Sequence, residues 1–301
     1  MRFGLLGTGY WAEHTQAAAL VAHDGVEFVG VWGRDPAKVA ALAGQQGVGA
    51  YDTVDALLAD VDAVAVALPP DVQAELALRA AKAGKHLLLD KPLSFTVEDA
   101  DEIVAAVDGG GLASVVFFTN RFVPAVESFI RQSAAEGGWY AAHGTMYASI
   151  FQPDNPYSGS QWRRERGGLW DLGPHALSVV LPLLGPVVEV SAVEGPRRTS
   201  HLLLQHEGGG ASTLSLTLDA APEASAFSFA YFGEHGAASL PAWDTTSVGA
   251  FGQAVSALIA QAGGAAPESP LQPCDVHLGR EIVAILVAAE AAQREKRIVA
   301  P

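Results

Sequence analysis

The chain of 301 residues carries 33 acidic and 18 basic side chains, a formal net charge of −15, and half of its residues are hydrophobic. The acidity argues against nucleic-acid binding, because proteins that bind nucleic acids carry basic faces. No apolar run reaches the roughly 18 residues that cross a bilayer, which argues against a membrane protein. The single cysteine, Cys274, excludes an internal disulfide, and the first strand begins at Arg2 without room for a signal peptide. Both observations favour a cytoplasmic location.

The first part of the chain alternates strand-like and helix-like segments. Asp35-Pro36 and Thr96 are typical of helix starts, and Gly84 is typical of the residue that follows a helix, here one over Asp71–Ala83. Short, β-branched apolar runs predict buried parallel strands at Phe3–Gly7, Val26–Trp32, Val61–Leu68, His86–Leu89 and Leu112–Thr119. The repeated strand–helix–strand pattern predicts an α/β domain over residues 1–119 with a doubly wound parallel sheet.

The pattern changes after about Asn120. Successive strands without intervening helices predict a second, α+β domain over residues 120–301 with a large open, mostly antiparallel sheet. Its predicted elements are a helix at Arg121–Gln132, a strand at Tyr140–Phe151, an irregular loop at Gln152–Gly168, a helix at Leu172–Leu184, strands at Val187–Val193, His201–His206, Ser212–Leu218 and Phe227–Phe232, and a final helix at Asp275–Arg294.

A glycine-rich turn, Gly7-Thr8-Gly9-Tyr10-Trp11-Ala12, lies between the first strand and the first predicted helix. Small residues in such a turn let the backbone approach a pyrophosphate, to which the helix N-terminus contributes partial positive charge. The strand–turn–helix context favours a dinucleotide site over an ordinary tight turn.

The end of the second strand indicates which dinucleotide is bound. In NAD-binding sheets an acid at the end of this strand normally holds the ribose hydroxyl. Here the strand is followed by Gly33-Arg34, without an acid. The next residue, Asp35, is better explained as a helix cap. Gly33 leaves space for the additional phosphate of NADP and Arg34 could pair with it, unless Arg34 is simply a surface residue. The pattern favours NADP, with NAD as the alternative. The predicted cofactor site also includes Leu68, which ends the predicted strand Val61–Leu68, and Pro69, which follows it.

A lysine turn, Asp90-Lys91-Pro92, follows the strand His86–Leu89 on the carboxyl edge, where doubly wound sheets bind ligands. Lys91 there could orient a nicotinamide or polarise a substrate oxygen. Taken alone, a lysine at this position is more often a solvated loop residue. Asp90 and Lys91 are both included in the predicted cofactor site.

Asp171 and His175 lie four residues apart, about one helical turn, within Gly167-Gly168-Leu169-Trp170-Asp171-Leu172-Gly173-Pro174-His175. An acid and a histidine held together can move a proton at neutral pH. The alternative makes Asp171 the N-cap of a helix that starts near Leu172, with Pro174 in its first turn, and His175 a structural residue. The cofactor turn and the lysine turn favour catalysis, specifically hydride transfer to or from an alcohol or carbonyl.

Metal binding finds no support in the sequence. His201 and His206 are five residues apart on a predicted strand, so they point to opposite faces of the sheet.

These motifs together resemble the glucose–fructose oxidoreductase, inositol dehydrogenase and rhizopine-catabolism (Gfo/Idh/MocA) family over nearly the whole chain. The segments that carry the resemblance are Gly7–Ala12 with His14, Ala83–His86 running into Asp90-Lys91-Pro92, Arg121-Phe122, Trp162-Arg163, and Asp171-x-Gly173-x-His175. The chain departs from the family pattern at Asp90, where glutamate is usual, at Ser178, where many members carry an acid, and at Gln73, which replaces a common histidine.

The resemblance implies an N-terminal Rossmann domain and an NAD(P)-dependent dehydrogenase or reductase that acts on a secondary alcohol or ketone of a sugar, polyol or related small molecule. It implies that Lys91 assists nicotinamide placement and catalysis, that His175 donates or accepts the proton, and that Asp171 positions the substrate hydroxyl. The expected substrate-binding residues are Asn120, Arg121, Tyr157, Trp162 and Arg163. The open sheet is expected to form a homodimer or homotetramer interface. The alternative function is a non-catalytic, dinucleotide-sensing regulatory protein on the same fold.

Overall fold

The computed structural model describes residues 1–265 and 273–295, which form two compact units. The first unit comprises Met1–Pro124 and the described residues of Trp243–Arg280, and the second comprises Ala125–Ala242 and the described residues from Glu281 to Glu295. The division predicted at residues 119 and 120 differs from this one, because it placed Trp243–Arg280 in the second domain. Residues 266–272 and 296–301 of that predicted domain lie outside the described part of the chain.

The first unit contains a parallel sheet with the strand order β3-β2-β1-β4-β5-β6. Its strands are β1 (Arg2–Leu6), β2 (Glu27–Trp32), β3 (Gly49–Tyr51), β4 (Ala63–Val66), β5 (His86–Asp90) and β6 (Ser114–Phe117). The order reverses between β1 and β4, and ligands of such sheets bind outside the carboxyl ends at this point. The predicted doubly wound sheet is confirmed. Only β3 was missed, because its three residues are largely exposed and form no apolar run.

The helices of Met1–Pro124 cover this sheet, and the two that follow Asp35 and Thr96 begin at the caps that the sequence predicted. They are a π-helical segment at Ala12–Ala17 that continues as α1 (Ala18–Ala22), then α2 (Pro36–Gln46), α3 (Val54–Asp60), α4 (Pro70–Lys82), α5 (Val97–Gly110) and a 3₁₀ turn at Thr119–Phe122. Asp35 Oδ1 accepts hydrogen bonds from the backbone N–H groups at positions 37 and 38, at 3.0 and 3.3 Å. Thr96 Oγ1 accepts from Asp99 N–H at 3.1 Å. Gly84 follows α4 with a φ of +73°, as expected of a glycine after a helix.

The second unit contains a mixed sheet with the strand order β12-β11-β7-β10-β9-β8. Its strands are β7 (Trp139–Tyr147), β8 (Val187–Glu194), β9 (Ser200–His206), β10 (Ala211–Thr217), β11 (Ala226–Gly233) and β12 (Gly236–Ser239). β7 and β10 run parallel, and the other neighbouring pairs run antiparallel. The predicted open, mostly antiparallel sheet is therefore confirmed.

Two helices of the second unit begin where the sequence did not place them. The helix predicted at Arg121–Gln132 is a 3₁₀ turn followed by α6 (Pro124–Glu136), in which proline occupies the first position. The loop predicted over Gln152–Gly168 ends at Ser160, and α7 runs over Gln161–Leu184. A left-handed residue, Gly167 (φ 66°), interrupts α7.

α7 packs against β7, β9 and β10 and gives the sheet of the second unit its buried face. Trp170 of α7 is completely buried, as are Leu204 and Leu216 on the strands beneath it. His206 is also buried on this face. Its Nδ1 lies 2.7 Å from Gly185 O, and its Nε2 lies 2.9 Å from Ser212 Oγ. Burial lowers the pKa of His206, so the neutral imidazole is favoured there.

Two further helices complete the described chain, α8 (Ser247–Ala262) and α9 (Val276–Glu295). α8 was missed in the sequence because Gly249 and Gly252 weaken its helical signal. It packs against β5 and β6 of the first unit, where Phe251 meets Phe117 edge to face at 5.0 Å between ring centroids. No helix within residues 1–265 and 273–295 combines the length and hydropathy needed to span a membrane.

Candidate active site

The glycine turn lies where the strand order of the first sheet reverses. Gly7 has a φ of +138° and donates its N–H to Trp32 O at 2.8 Å. A Cβ on Gly7 would lie 2.5 Å from Ala67 O, so both conformation and space exclude a side chain there. A Cβ on Gly9, in contrast, would meet no atom within 4 Å. The turn is therefore tight at its first glycine and open at its second, which suits close approach of a pyrophosphate.

The helix after this turn begins with an aromatic pair. The Tyr10 ring stacks on the His14 ring with 4.1 Å between centroids, and both residues are exposed. Farther along, the buried Gln16 donates from Nε2 to Val66 O at 3.1 Å. This bond ties the π-helical segment to the carboxyl end of β4, one of the two strands at the reversal.

The tip of β2 presents Gly33 and an exposed Arg34. Within the part of the chain that the structure describes, Arg34 makes no hydrogen bond or ion pair, whereas the Asp35 carboxylate caps α2. A Cβ on Gly33 would lie 2.8 Å from Thr8 Cγ2. Thr8 thus occupies the place in which an acidic side chain at position 33 would begin.

The lysine turn follows β5 on the same carboxyl edge. Asp90 folds back so that its Oδ1 accepts the backbone N–H of Lys91 at 2.8 Å. Lys91 itself is half-buried, whereas Pro92 and Leu93 are fully packed. Leu68 and Pro69 lie at this edge too, after β4, with Pro69 directly preceding α4.

The 3₁₀ turn after β6 places Asn120 and Arg121 at the carboxyl edge of the same sheet, and both are buried. Asn120 Oδ1 accepts a hydrogen bond from Trp243 Nε1 at 3.0 Å, while 42% of Trp243 remains exposed. Trp243 was missed in the sequence because it lies 123 residues from Asn120, in a segment without a motif.

In the second unit, Asp171 and His175 lie one turn apart within α7. Asp171 is buried and sits inside the helix rather than at its start. The alternative that made Asp171 the N-cap of a helix from Leu172 is therefore wrong, and Pro174 lies in the helix interior instead of its first turn. Ser178, three residues after His175, donates a hydrogen bond from its hydroxyl to His175 O at 2.8 Å.

Arg163 joins several of the predicted residues. Its Nε donates to Asp171 Oδ2 at 3.1 Å, with only 21% of the arginine side chain and 10% of the aspartate side chain exposed. Its guanidinium carbon lies 4.8 Å from the centre of the Tyr157 ring and 4.5 Å from that of Trp162. The structure thus brings Tyr157, Trp162, Arg163 and Asp171 together, in an arrangement that combines an ion pair with cation–π contacts.

The neighbouring arginines have other partners. Arg166 Nη1 lies 3.1 Å from Glu290 Oε1, and Arg166 also approaches the Trp170 ring. Arg164 lies over the Phe151 ring, 4.5 Å from its centre, and donates to Ser158 O. Arg166 therefore balances a local acid.

Histidines do not assemble a metal site in the described residues, where no group of three His, Cys, Asp or Glu side chains could hold a metal ion. His201 lies on the open face of the sheet and contacts Ser215 Oγ at 2.7 Å, whereas His206 is buried. The two histidines therefore point to opposite faces, as predicted.

Comparison with known proteins relates the N-terminal part of the chain to one family. Residues 1–118 match the GFO_IDH_MocA model, an oxidoreductase family with an NAD-binding Rossmann fold. The N-terminal part of the chain is therefore similar to the Gfo/Idh/MocA oxidoreductase family.

Among curated relatives, 4-carboxy-2-hydroxymuconate-6-semialdehyde dehydrogenase of Sphingobium is 28% identical, with 73% of this chain and 72% of the relative aligned. UDP-N-acetylglucosamine 3-dehydrogenase of Acidithiobacillus ferrooxidans is 29% identical over 64% of this chain and 58% of the relative. The chain spans less than two thirds of the length of this second relative and of several other curated relatives that it matches.

A solved structure shows the same fold over the whole chain. The WlbA dehydrogenase of Bordetella pertussis, in complex with NADH and UDP-GlcNAcA, has a TM-score of 0.82 at 23% identity and covers 100% of this chain and 99% of its own.

Proposed function

We propose that the protein is an NAD(P)-dependent dehydrogenase or reductase that acts on a secondary alcohol or ketone of a sugar, polyol or related small molecule. The observation that carries the proposal is the glycine turn at the reversal of the strand order, tight at Gly7 and open at Gly9. The names of the relatives, dehydrogenases of a sugar nucleotide and of a semialdehyde, support this reaction class. No observation favours a non-catalytic sensor.

The chain's residues fit a dinucleotide along the carboxyl edge of the first sheet, and the nicotinamide would supply or accept the hydride when bound. Lys91 would orient the nicotinamide and polarise the substrate oxygen, and His175 would exchange the hydroxyl proton. Asp171, which the ion pair with Arg163 holds in place, would orient the substrate hydroxyl. The residues proposed to bind the cofactor are Gly7, Thr8, Gly9, Tyr10, Trp11, Gly33, Arg34, Leu68, Pro69, Asp90 and Lys91.

NADP is the proposed cofactor, with NAD as the alternative. The carboxylate nearest the tip of β2, Asp35, accepts two helix N–H groups at Oδ1, so its position is explained by the cap of α2. Arg34 is exposed, and among the described residues nothing competes for its guanidinium. A guanidinium in this position suits a phosphate through charge-assisted hydrogen bonds.

The proposed substrate-binding residues combine ring faces with polar groups. Tyr157 and Trp162 could pack against a sugar ring, while Arg163, Asn120 and Arg121 offer donors and acceptors to hydroxyls. We also propose a cytoplasmic location and a homodimer or homotetramer formed through the open face of the second sheet.

The reaction class can be tested with a panel of keto-sugars and keto-acids with NADPH or NADH, and of sugars and polyols with the oxidised cofactors. Loss or gain of reduced-nicotinamide absorbance reports turnover. We expect at least one hydroxylated ring compound to react, with NADPH preferred over NADH. Tight binding of NADPH without oxidation by any panel member, and no reduction of NADP by any alcohol, would contradict an oxidoreductase function.

A further inference from the structure

Gln73 is a buried polar residue that the proposed mechanism has not used. It lies in the first turn of α4, is 1% exposed, and reaches the lysine turn after β5. Its Nε2 donates to Asp90 O at 2.7 Å and Pro92 O at 3.0 Å, with Leu93 O at 3.3 Å. Its Oε1 accepts the backbone N–H of Asp90 at 2.8 Å.

These partners fix the orientation of the Gln73 amide. Carbonyl oxygens only accept and the Asp90 N–H only donates, so Nε2 must face the carbonyls and Oε1 the amide. Both donor hydrogens and the acceptor of one side chain are thereby used on a single turn. A buried amide that is fully hydrogen-bonded holds its partners rigidly, because breaking any bond leaves a buried polar group unpaired.

The hydrogen bonds from Gln73 hold the backbone on both sides of Lys91. The carbonyls of residues 90 and 92 flank Lys91 on either side, and the side chain that holds both comes from a different element, α4. The Lys91 N–H is held separately by Asp90 Oδ1. The backbone on which the lysine side chain stands is therefore fixed before and after the residue itself.

We propose that Gln73 is a positioning residue, which sets the direction of the Lys91 side chain by clamping the turn that carries it. This inference rests on the proposed function of Lys91. It predicts that loss of the clamp lowers turnover much more than cofactor binding, because the glycine turn that faces the pyrophosphate is untouched.

Three variants separate positioning from packing. Gln73→Met keeps the length and volume of the side chain without its hydrogen bonds. Gln73→Glu keeps the acceptor for Asp90 N–H but turns a carboxylate oxygen towards the carbonyls. Gln73→His introduces the residue of the family pattern that the chain resembles, and it retains one donor and one acceptor.

The experiment measures kcat and KM with the best substrate of the panel, NADPH affinity by fluorescence titration, and amide hydrogen exchange of the peptide covering residues 86–95. For Gln73→Met and Gln73→Glu we expect kcat to fall about tenfold or more, NADPH affinity to change less than about threefold, and exchange to accelerate in this peptide but not in β1. Gln73→His should recover most of the turnover.

The outcomes separate this inference from the proposed function. Wild-type kcat in folded Gln73→Met, alongside an inactive Lys91→Ala, would overturn the role of Gln73 and leave the function standing. Full activity of Lys91→Ala would overturn the proposed function of Lys91 itself. If no panel member reacts, unchanged exchange of the 86–95 peptide in Gln73→Met would still refute the clamp, and local acceleration would support it.

Discussion

At the scale of single residues, the tip of β2 shows how the structure sharpens a prediction about the cofactor. An acid at position 33 should favour NAD by repelling the additional phosphate of NADP. Its Cβ, however, would collide with Thr8 Cγ2 at 2.8 Å. Gly33→Asp alone would therefore disturb the glycine turn as well as the charge, whereas Arg34 can be changed without repacking because it is exposed.

We expect Arg34→Ala to weaken NADPH binding by about tenfold or more while changing NADH binding by less than about twofold, because only NADPH carries the phosphate. Thr8→Ala combined with Gly33→Asp should shift the preference further towards NADH. Titration of both cofactors against each variant measures this. A wild-type protein that clearly prefers NADH, or equal losses for both cofactors in Arg34→Ala, would refute the assignment.

Arg163 is the second residue whose role the structure refines. Arg163→Ala removes one partner of the buried Asp171 and two cation–π contacts. Removing one partner of a buried ion pair is more costly than removing one at the surface. We expect kcat to fall by about tenfold and the Michaelis constant for substrate to rise. Arg166→Ala, which breaks the more exposed pair with Glu290, is the matched control and should leave both constants near wild type. Unchanged kinetics in Arg163→Ala would remove this residue from the site.

At the scale of elements, α7 is positioned by glycine. Gly168 packs so closely on β10 that a Cβ would lie 2.8 Å from Thr217 Cα and 2.9 Å from Leu216 O. These are backbone atoms of a central strand and cannot move aside easily. The helix that carries Asp171 and His175 therefore depends on the absence of a side chain at this contact.

We expect Gly168→Ala to destabilise the protein by about 1–3 kcal/mol, as overpacking does, and to reduce turnover by displacing α7. Gly44→Ala in α2 is the control, since a Cβ there meets no atom within 4 Å. That variant should be neutral or up to about 1 kcal/mol more stable, because alanine favours a helix. Denaturant midpoints of the two variants give the comparison, and a wild-type midpoint for Gly168→Ala would show that the contact is not tight.

The same scale shows what the sequence could and could not predict. Buried strands and capped helices of the first sheet were predictable, since apolar runs and cap residues are local signals. α8 was not, because its glycines obscure a helical face that only tertiary packing stabilises. The segment Gln152–Gly168 was predicted as a loop because polar residues and the glycine break at Gly167 hide the turn of helix from Gln161.

Parts of the candidate site could not be predicted from the sequence, because they depend on contacts between separate segments of the chain. The spacing of Asp171 and His175 predicted a shared helix face, but the pairing of Arg163 with Asp171 across Gly167 has no sequence signal. Gln73 was noticeable only as a departure from a family pattern, and its bonds to the lysine turn follow from the adjacency of α4 and β5.

At the scale of the whole molecule, the open face of the second sheet is the surface proposed for assembly. Leu203, 51% exposed on β9, lies on this face between Thr213 of β10 and Ser191 of β8. We expect a dimer or tetramer at micromolar concentration, and Leu203→Arg should shift it towards monomer, because burying an unpaired charge is costly. Val21→Arg, at an equally exposed apolar residue of the first unit, should not. Light scattering that gives the 31.2 kDa monomer mass for the wild type would contradict this proposal.

We propose that Lys91 and His175 act in hydride transfer to or from a hydroxylated small molecule. This proposal is tested most directly by turnover of the best panel substrate in Lys91→Ala and His175→Ala, compared with Lys82→Ala on the exposed part of α4 and His143→Ala on the open sheet face. We expect each of the first two variants to lose about a hundredfold or more in kcat, with NADPH binding weakened more by Lys91→Ala than by His175→Ala. The two controls should retain wild-type turnover. Near-normal kcat in both Lys91→Ala and His175→Ala would contradict these two roles.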